Sequence, residues 1–432
     1  MNRWWIGSLI LLLGSVGPAA AGEKGIGLSF EGAVQNALLN NRELRAARYA
    51  VEQARGRLVQ SGRWANPEIQ ASGMTDFAFG NKGEAAFSVG IYQMFPVTSR
   101  LALSRQIGRL DVERAQREIR NQERLLIERV QTQYVRSVAA QDRAEKWKAI
   151  SQQQREMEAV ATRRIEAGQG SPSELALAAS AIATAWNNQS EAEIAAVSDL
   201  IELKTLLGYP AEHPLRLTDT VPAIIQKLRT LTGDRPKVLH RPDADLLLLE
   251  ADRAELEVRL ARAEAWEGIR IGVEYTNDRG VDAPEGLGTD QFLGVSISVP
   301  LPFWNSNQGT AAEKHALRDE MQGRLDALRL ELGNDLAKAI QQVDRLQQRA
   351  SEVQSRGVDV TRKAVEELSK GFAEGRVDLR DLLTVRSQLA ELELAGNASR
   401  ADLALAYARL LSTTGTHPAV APVSNQETIR KR

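Results

Sequence analysis

The chain has 432 residues, no cysteine, 5% aromatics, and 55 Lys and Arg against 56 Asp and Glu. Without thiols it has no disulfides, no thiolate chemistry and no lipid on a mature N-terminal cysteine. A formal charge of -1 leaves no basic face for nucleic acid, and abundant Leu, Ala, Glu, Arg and Gln is the composition of long helices.

Residues 1–21 read as a secretory signal, with Arg3 as the n-region, Ile6 to Val16 as the apolar run, and Ala19 and Ala21 as the cleavage site. That run is too short for a spanning helix of roughly 20 residues, so the mature chain is expected to begin near Gly22. Ser29, a good N-cap residue, opens a helical segment ending at Gly62. Strands follow at Pro67 to Thr75 and Ala85 to Phe95, closed by Pro96. A helix from Thr98 to Ala167, a turn at Gly168-Gln169-Gly170, and a helix from Pro172 to Leu207 complete the first half.

The second half repeats this order. After a linker at 211–240, a helix at Pro242 to Trp266 precedes strands at Ile269 to Thr276 and Gln291 to Val299. Between the strands, Asn277 to Asp290 reads as a solvated acidic loop carrying Asp278, Asp282, Glu285 and Asp290. A helix from Gln308 to Lys370, a turn at Gly375, and a helix from Leu379 to Ser412 follow. The expected domains are thus 22–210, the linker, 241–415 and a tail at 416–432. Both turns obey one plan: Gly168 precedes Ser171 and Glu174 as Gly375 precedes Asp378 and Asp381. In each, a cap residue is followed by an acid three positions later, a capping-box arrangement.

Met321, Leu325, Leu328, Leu332, Leu336, Ala339, Val343, Leu346, Ala350 and Val353 alternate steps of four and three, the seam of a coiled coil. About 70 helical residues extend roughly 100 Å, and the two short helices of each half sum to about the length of the long one. The expected architecture pairs each long helix with two short ones stacked end to end.

The strands alternate. Phe87, Val89 and Ile91 oppose Ser88, Gly90 and Tyr92; Ile271, Val273 and Tyr275 oppose Arg270, Gly272 and Glu274. One apolar and one polar face fits a membrane barrel with a wet lumen, or a sheet on a soluble core. Arg270 and Glu274 on the polar face favour the lumen. Four strands cannot close a barrel, and lipid tolerates no open edge, so the membrane reading demands several copies of the chain.

These features resemble the TolC family of outer-membrane efflux proteins across the mature chain. The resemblance is carried by Ala33, Ala37, Asn40-Asn41, Glu43-Leu44 and Ala46-Ala47 in the first helix and by the turn Gly375 to Leu383. The junction Val299 to Gly309, reading VPLPFWNSNQG, is similar to the CzcC-type heavy-metal branch. It implies a mainly helical fold with a membrane β-barrel contribution: a homotrimer with a twelve-stranded barrel in outer-membrane lipid and a periplasmic helical tunnel. It further implies a periplasmic adaptor, an inner-membrane RND-type pump, and a periplasmic gate at Asp381, Glu174 and Thr384. Adaptor docking would fall at Gly168, Ser171, Gly375 and Asp378.

His213, His240, His315 and His417 show no ligand spacing, so no metal ligand or cofactor is assigned. No phosphate loop or nucleophile elbow supports an enzyme. The expected function is a passive exit duct for heavy-metal cations of the cobalt, zinc or cadmium type. A duct for drugs or secreted polypeptides, and a periplasmic coiled-coil adaptor or structural protein, are the alternatives.

Overall fold

The computed structural model describes residues 26–78, 83–168, 171–233, 241–282, 284, 286–374 and 376–415. The expected signal (1–21), the tail (416–432), Gln169 and Gly170 of the first turn, Gly375, Glu285, His240 and His417 lie outside the described residues.

Strand β1 (Ile26–Leu28) leads to α1 (Phe30–Asn40), whose N-cap Ser29 Oγ accepts a hydrogen bond from Gly32 N at 3.1 Å. The single helix expected to Gly62 is two, because α2 (Arg42–Gln60) restarts after Asn41. The Asn41 Oδ1 accepts from Leu44 N at 2.8 Å, a fresh N-cap, while its Nδ2 donates to the Leu206 carbonyl at 2.9 Å. A short side chain that satisfies backbone groups locally competes with the helix ladder, and here it wins. Strands β2 (Glu68–Thr75) and β3 (Ala85–Phe95) precede α3 (Arg100–Glu166) and α4 (Pro172–Leu207).

The expected linker is structured over 211–233. It holds β4 (Leu215–Leu217), which pairs in parallel with β1, and α5 (Val221–Thr232), which buries Val221, Ile224 and Leu228. Flanking prolines and glycines hide this short amphipathic element from a reading by punctuation. Then come α6 (Pro242–Ala263), β5 (Ile269–Asp282), β6 (Gly286–Ser298) and α7 (Gln308–Glu352). A π-helical turn at Val353–Val358 joins α7 to α8 (Asp359–Ala373), and α9 (Leu379–Thr414) ends the fold.

Along its length α3 packs against α2 and α4; α6 and α9 do the same for α7. The expected stacking of two short helices along one long helix therefore holds in both halves. The main core lies at mid-height, where Phe30, Leu126, Tyr134, Leu203, Ile224 and Leu411 meet. Tyr134 donates to the Leu28 carbonyl at 2.8 Å and to Asp219 Oδ2 at 3.1 Å. Burial and the Asp219 charge push the Tyr134 phenol up to about 12, so it stays a neutral donor. Asp219 also accepts from Phe30 N and Lys227, tying the equatorial elements together.

All four long strands form one antiparallel sheet in the order β2-β3-β5-β6. The acidic loop expected at Asn277 to Asp290 is for the most part paired strand, with Asp278 opposite Asp290 and Asp282 opposite Gly286. Glycines and polar residues there look like loop, yet the ladder needs only backbone groups and a regular register.

Candidate functional site

Two regions stand out for function: the sheet at one end of the rod and the pair of helix turns at the other. Register sorts the sheet's side chains into two faces, because successive residues point to opposite sides. One face carries Ile69, Phe87, Val89, Ile91, Ile271, Val273, Leu293, Val295 and Ile297, all exposed, with Leu293 78% accessible. A contiguous apolar surface of that size facing outward is what a partner or lipid covers. The opposite face carries Glu68, Gln70, Ser72, Ser88, Tyr92, Arg270, Glu274, Thr276, Ser296 and Ser298.

Arg270 and Glu274 sit together on this polar face, as expected, and each has a partner. Arg270 Nη2 donates to Glu68 Oε2 at 2.8 Å, and the Tyr92 hydroxyl donates to Glu274 Oε2 at 2.9 Å. The Arg270 guanidinium also lies over the Tyr92 ring, 4.8 Å from its centroid. Beneath that ring are Gly272 and Gly90: a Cβ at Gly272 would stand 2.2 Å from Tyr92 Cδ1. Glycine is required there for the ring to lie flat. Sequence reasoning missed Glu68 and Tyr92 as partners, since within the sheet it is the β3–β5 pairing that brings the two halves of the chain together.

Where the strands become helices, aromatic side chains collect. Trp64 and Phe95 meet edge to face at 5.7 Å, Phe303 and Trp304 at 6.2 Å, and Trp304 is 90% exposed. Such rings at the end of an apolar face mark a membrane–water interface. Among the described residues no helix is long and apolar enough to cross a membrane.

At the far end, the turns of the two halves meet. Ala161 of α3, Ala178 of α4, and Leu379 and Leu383 of α9 form a small buried cluster with Phe372 of α8 against it. Gly168 adopts φ +72 with open space around it, a turn position that suits glycine. Ser171 Oγ accepts from Glu174 N at 3.3 Å. The matching cap at Asp378 does not form: it has the extended backbone of an N-cap but no side-chain bond to the helix. The expected pair of capping boxes is thus reduced to one N-cap bond, from Ser171 in the first half. Asp381 and Thr384 are exposed one turn apart on α9, and the Thr384 hydroxyl bonds back to the Arg380 carbonyl at 2.8 Å. Glu174 is half-buried, with one carboxylate oxygen lacking a hydrogen-bond partner. Among the described residues no three His, Cys, Asp or Glu side chains gather as metal donors.

No curated protein matches this chain. Solved structures do. One, described in a report on CusC conformational changes accompanying folding and transmembrane channel formation, shares 16% identity at a TM-score of 0.73, covering 90% of this chain and 92% of that one. The Campylobacter jejuni CmeC outer membrane channel shares 15% identity at 0.69, with 90% and 85% covered. The open state of the Neisseria gonorrhoeae MtrE outer membrane channel shares 17% at 0.67, with 89% and 88% covered. At such identities the likeness establishes the fold. Residues 33–209 and 239–416 match the family described as outer membrane efflux protein, which is most of the chain, and the chain belongs to that family.

Proposed function

We propose that three copies of the chain assemble into the exit duct of a tripartite efflux system, with β6 of each copy pairing with β2 of the next. The observation that carries this is the four-stranded sheet, whose apolar face is exposed, whose other face is charged, and whose two edges are open. Lipid tolerates such a sheet only when closed, and three copies give twelve strands. Channels of this family form trimers and work with an adaptor and an inner-membrane pump. In this reading the polar face with Arg270 and Glu274 lines the lumen, and residues 1–21 direct export. The two repeats, 22–210 and 241–415, supply one hairpin and one tip each around the equatorial segment 211–240.

The tips form the periplasmic end. Asp381, repeated three times about the axis, sets a charged gate, with Thr384 beside it and Glu174 as its first-repeat counterpart. Gly168, Ser171, Gly375 and Asp378 present the surface for the adaptor. Purified trimer in planar bilayers tests both claims. A small basal conductance is expected, raised severalfold by Asp381→Asn because like charges near an axis hold counter-ions and fix the ring's geometry. Recovery of the protein as a soluble periplasmic monomer would sink the duct.

The cargo is heavy-metal cations, a reading supported by the junction Val299 to Gly309, which resembles the CzcC-type branch. Deleting the gene should sensitise cells to zinc, cobalt or cadmium. Sensitivity to drugs alone would transfer the assignment to the drug-exporting branch.

A further inference from the structure

The two strand–helix junctions of the chain differ in charge. The first, where α2 leads into β2 and β3 into α3, covers residues 53–67 and 94–110. It carries six arginines, Arg55, Arg57, Arg63, Arg100, Arg105 and Arg109, and no Asp or Glu. The second, where α6 leads into β5 and β6 into α7, covers residues 255–268 and 299–318 and holds four Lys or Arg against five Glu. It pairs them within the chain: Arg259 and Arg318 with Glu255, and Lys314 with Glu257 and Glu313. For a chain of formal charge -1, six cations to no acid is a local excess that the fold leaves standing.

The nearest acids on either side are already engaged. Glu52 accepts from Arg55, and Asp111 from Arg253, each at 2.8 Å. Glu68 lies on the polar face of the sheet and is held by Arg270. None of the other five arginines has an ion pair among the described residues. Arg63 Nε donates to the Val59 carbonyl at 2.8 Å, Arg105 Nη2 to the Gly62 carbonyl at 3.2 Å, and Arg100 Nε is buried without a partner. Arg105 and Arg109 stand one turn apart on α3, a like-charge spacing that weakens a helix. Arg100 lies in the first turn of α3, whose N-cap makes no side-chain bond, so its charge opposes the macrodipole. An anion beside the patch would relieve both penalties.

Position identifies the anion. Phe95 shares the apolar face of β3 with Phe87, Val89 and Ile91, and Trp64 meets it edge to face. Arg63, next to Trp64, therefore stands at the foot of the face that lipid covers, and it is exposed, as are Arg57, Arg105 and Arg109. From Arg100 to Arg105 the helix rises roughly 8 Å, about the depth of a headgroup layer. Guanidinium groups bind phosphate bidentately. A neighbouring copy's second junction competes poorly for them, because Glu255, Glu257 and Glu313 are held by their own chain.

We propose that the arginine patch of the first junction binds the phosphates of anionic phospholipids, of the phosphatidylglycerol type, in the leaflet next to the helices. The sheet's place in lipid rests on the duct reading; the charge difference between the junctions does not.

The full-length protein is purified in mild detergent with equal amounts of phosphatidylglycerol and phosphatidylcholine, and retained lipid is counted by native mass spectrometry. Phosphatidylglycerol should be retained over phosphatidylcholine by about tenfold, less in high salt. Arg63→Gln, Arg100→Gln and Arg105→Gln together should erase the preference, whereas Lys at the same three positions should keep most of it. Arg259→Gln with Lys314→Gln, at the second junction, should leave it unchanged. No preference in the unaltered protein, or a full preference in the triple Gln variant, overturns the site. Should that variant fail to assemble, Arg63→Gln alone, at an exposed side chain, should lower the preference about threefold, and an unchanged preference there overturns the site. Displacement of the lipid by millimolar inorganic phosphate would assign the patch to a free oxyanion and overturn the lipid reading. Recovery of the chain soluble and free of lipid sinks the duct reading and this inference with it; a lipid-bound trimer without headgroup preference sinks this inference alone.

Discussion

In the first repeat, an unbroken helix ends at a turn whose following helix is capped by Ser171; in the second, a helix interrupted by a π turn ends at a turn with no side-chain cap. The same order of elements carries one unbroken long helix and one interrupted by a π turn. The difference is concentrated in a few residues. Ser171 satisfies an orphan helix N–H that Asp378 leaves to solvent, and Gly357 sits where the first repeat has continuous helix. What holds the second tip is burial, since Leu379 and Leu382 are almost completely enclosed.

That contrast predicts that the second tip fails first when its packing is cut. Leu379→Ala removes a fully buried side chain from a small cluster, and should cost about 2–5 kcal/mol locally. Amide exchange across residues 376–384 should accelerate by orders of magnitude, with the α3–α4 turn much less affected. Equal acceleration of both tips would show that they melt as one unit and erase the contrast. Capping gives the reverse ranking. Ser171→Ala should cost about 1 kcal/mol of protection at the start of α4. Asp378→Ala, which loses only its charge near a helix N-terminus, should cost about 0.3–1 kcal/mol at the start of α9. A larger loss from Asp378→Ala would mean that its carboxylate caps the helix in solution after all.

Much of this arrangement is legible in the sequence because it depends on period. The duplicated order, the seam from Met321 to Val353 and the two-faced strands all follow from spacing, and Arg270 and Glu274 fall on one face by parity alone. The π turn also leaves a trace: after Val353 the next buried apolar residue is Val358, a step of five where the seam had taken threes and fours. What stays hidden depends on contacts made late in the fold. Asn41 breaks a helix because Leu206 offers it a carbonyl 165 positions away. Tyr92 meets Glu274 only through β3–β5 pairing, and Glu393 gathers partners from two other helices. No window of sequence contains those pairs.

The smallest expected effect separates two acids in one cleft, Asp142 on α3 and Glu393 on α9. Burial raises the Asp142 carboxyl above its ordinary value, with the Glu145 charge adding to it. Burial also pushes Glu393 upward, but hydrogen bonds from Arg362 and Lys146 outweigh it and hold that carboxyl below its ordinary value. The signs are therefore opposite. Asp142 stabilises the fold only when protonated, so its contribution is lost as pH rises through its raised value. Glu393 stabilises the fold when ionised, a contribution complete above the ordinary carboxylate range and lost as pH falls through its lowered value. Mild acidification should first steady the cleft, as Asp142 takes up a proton, and then weaken it at lower pH, as Glu393 does. Melting temperatures against pH would resolve the two steps: Asp142→Asn should flatten only the upper one, and Glu393→Gln only the lower. If both variants flatten the same step, the carboxylates titrate as a coupled pair, and neither step can be assigned to one acid alone.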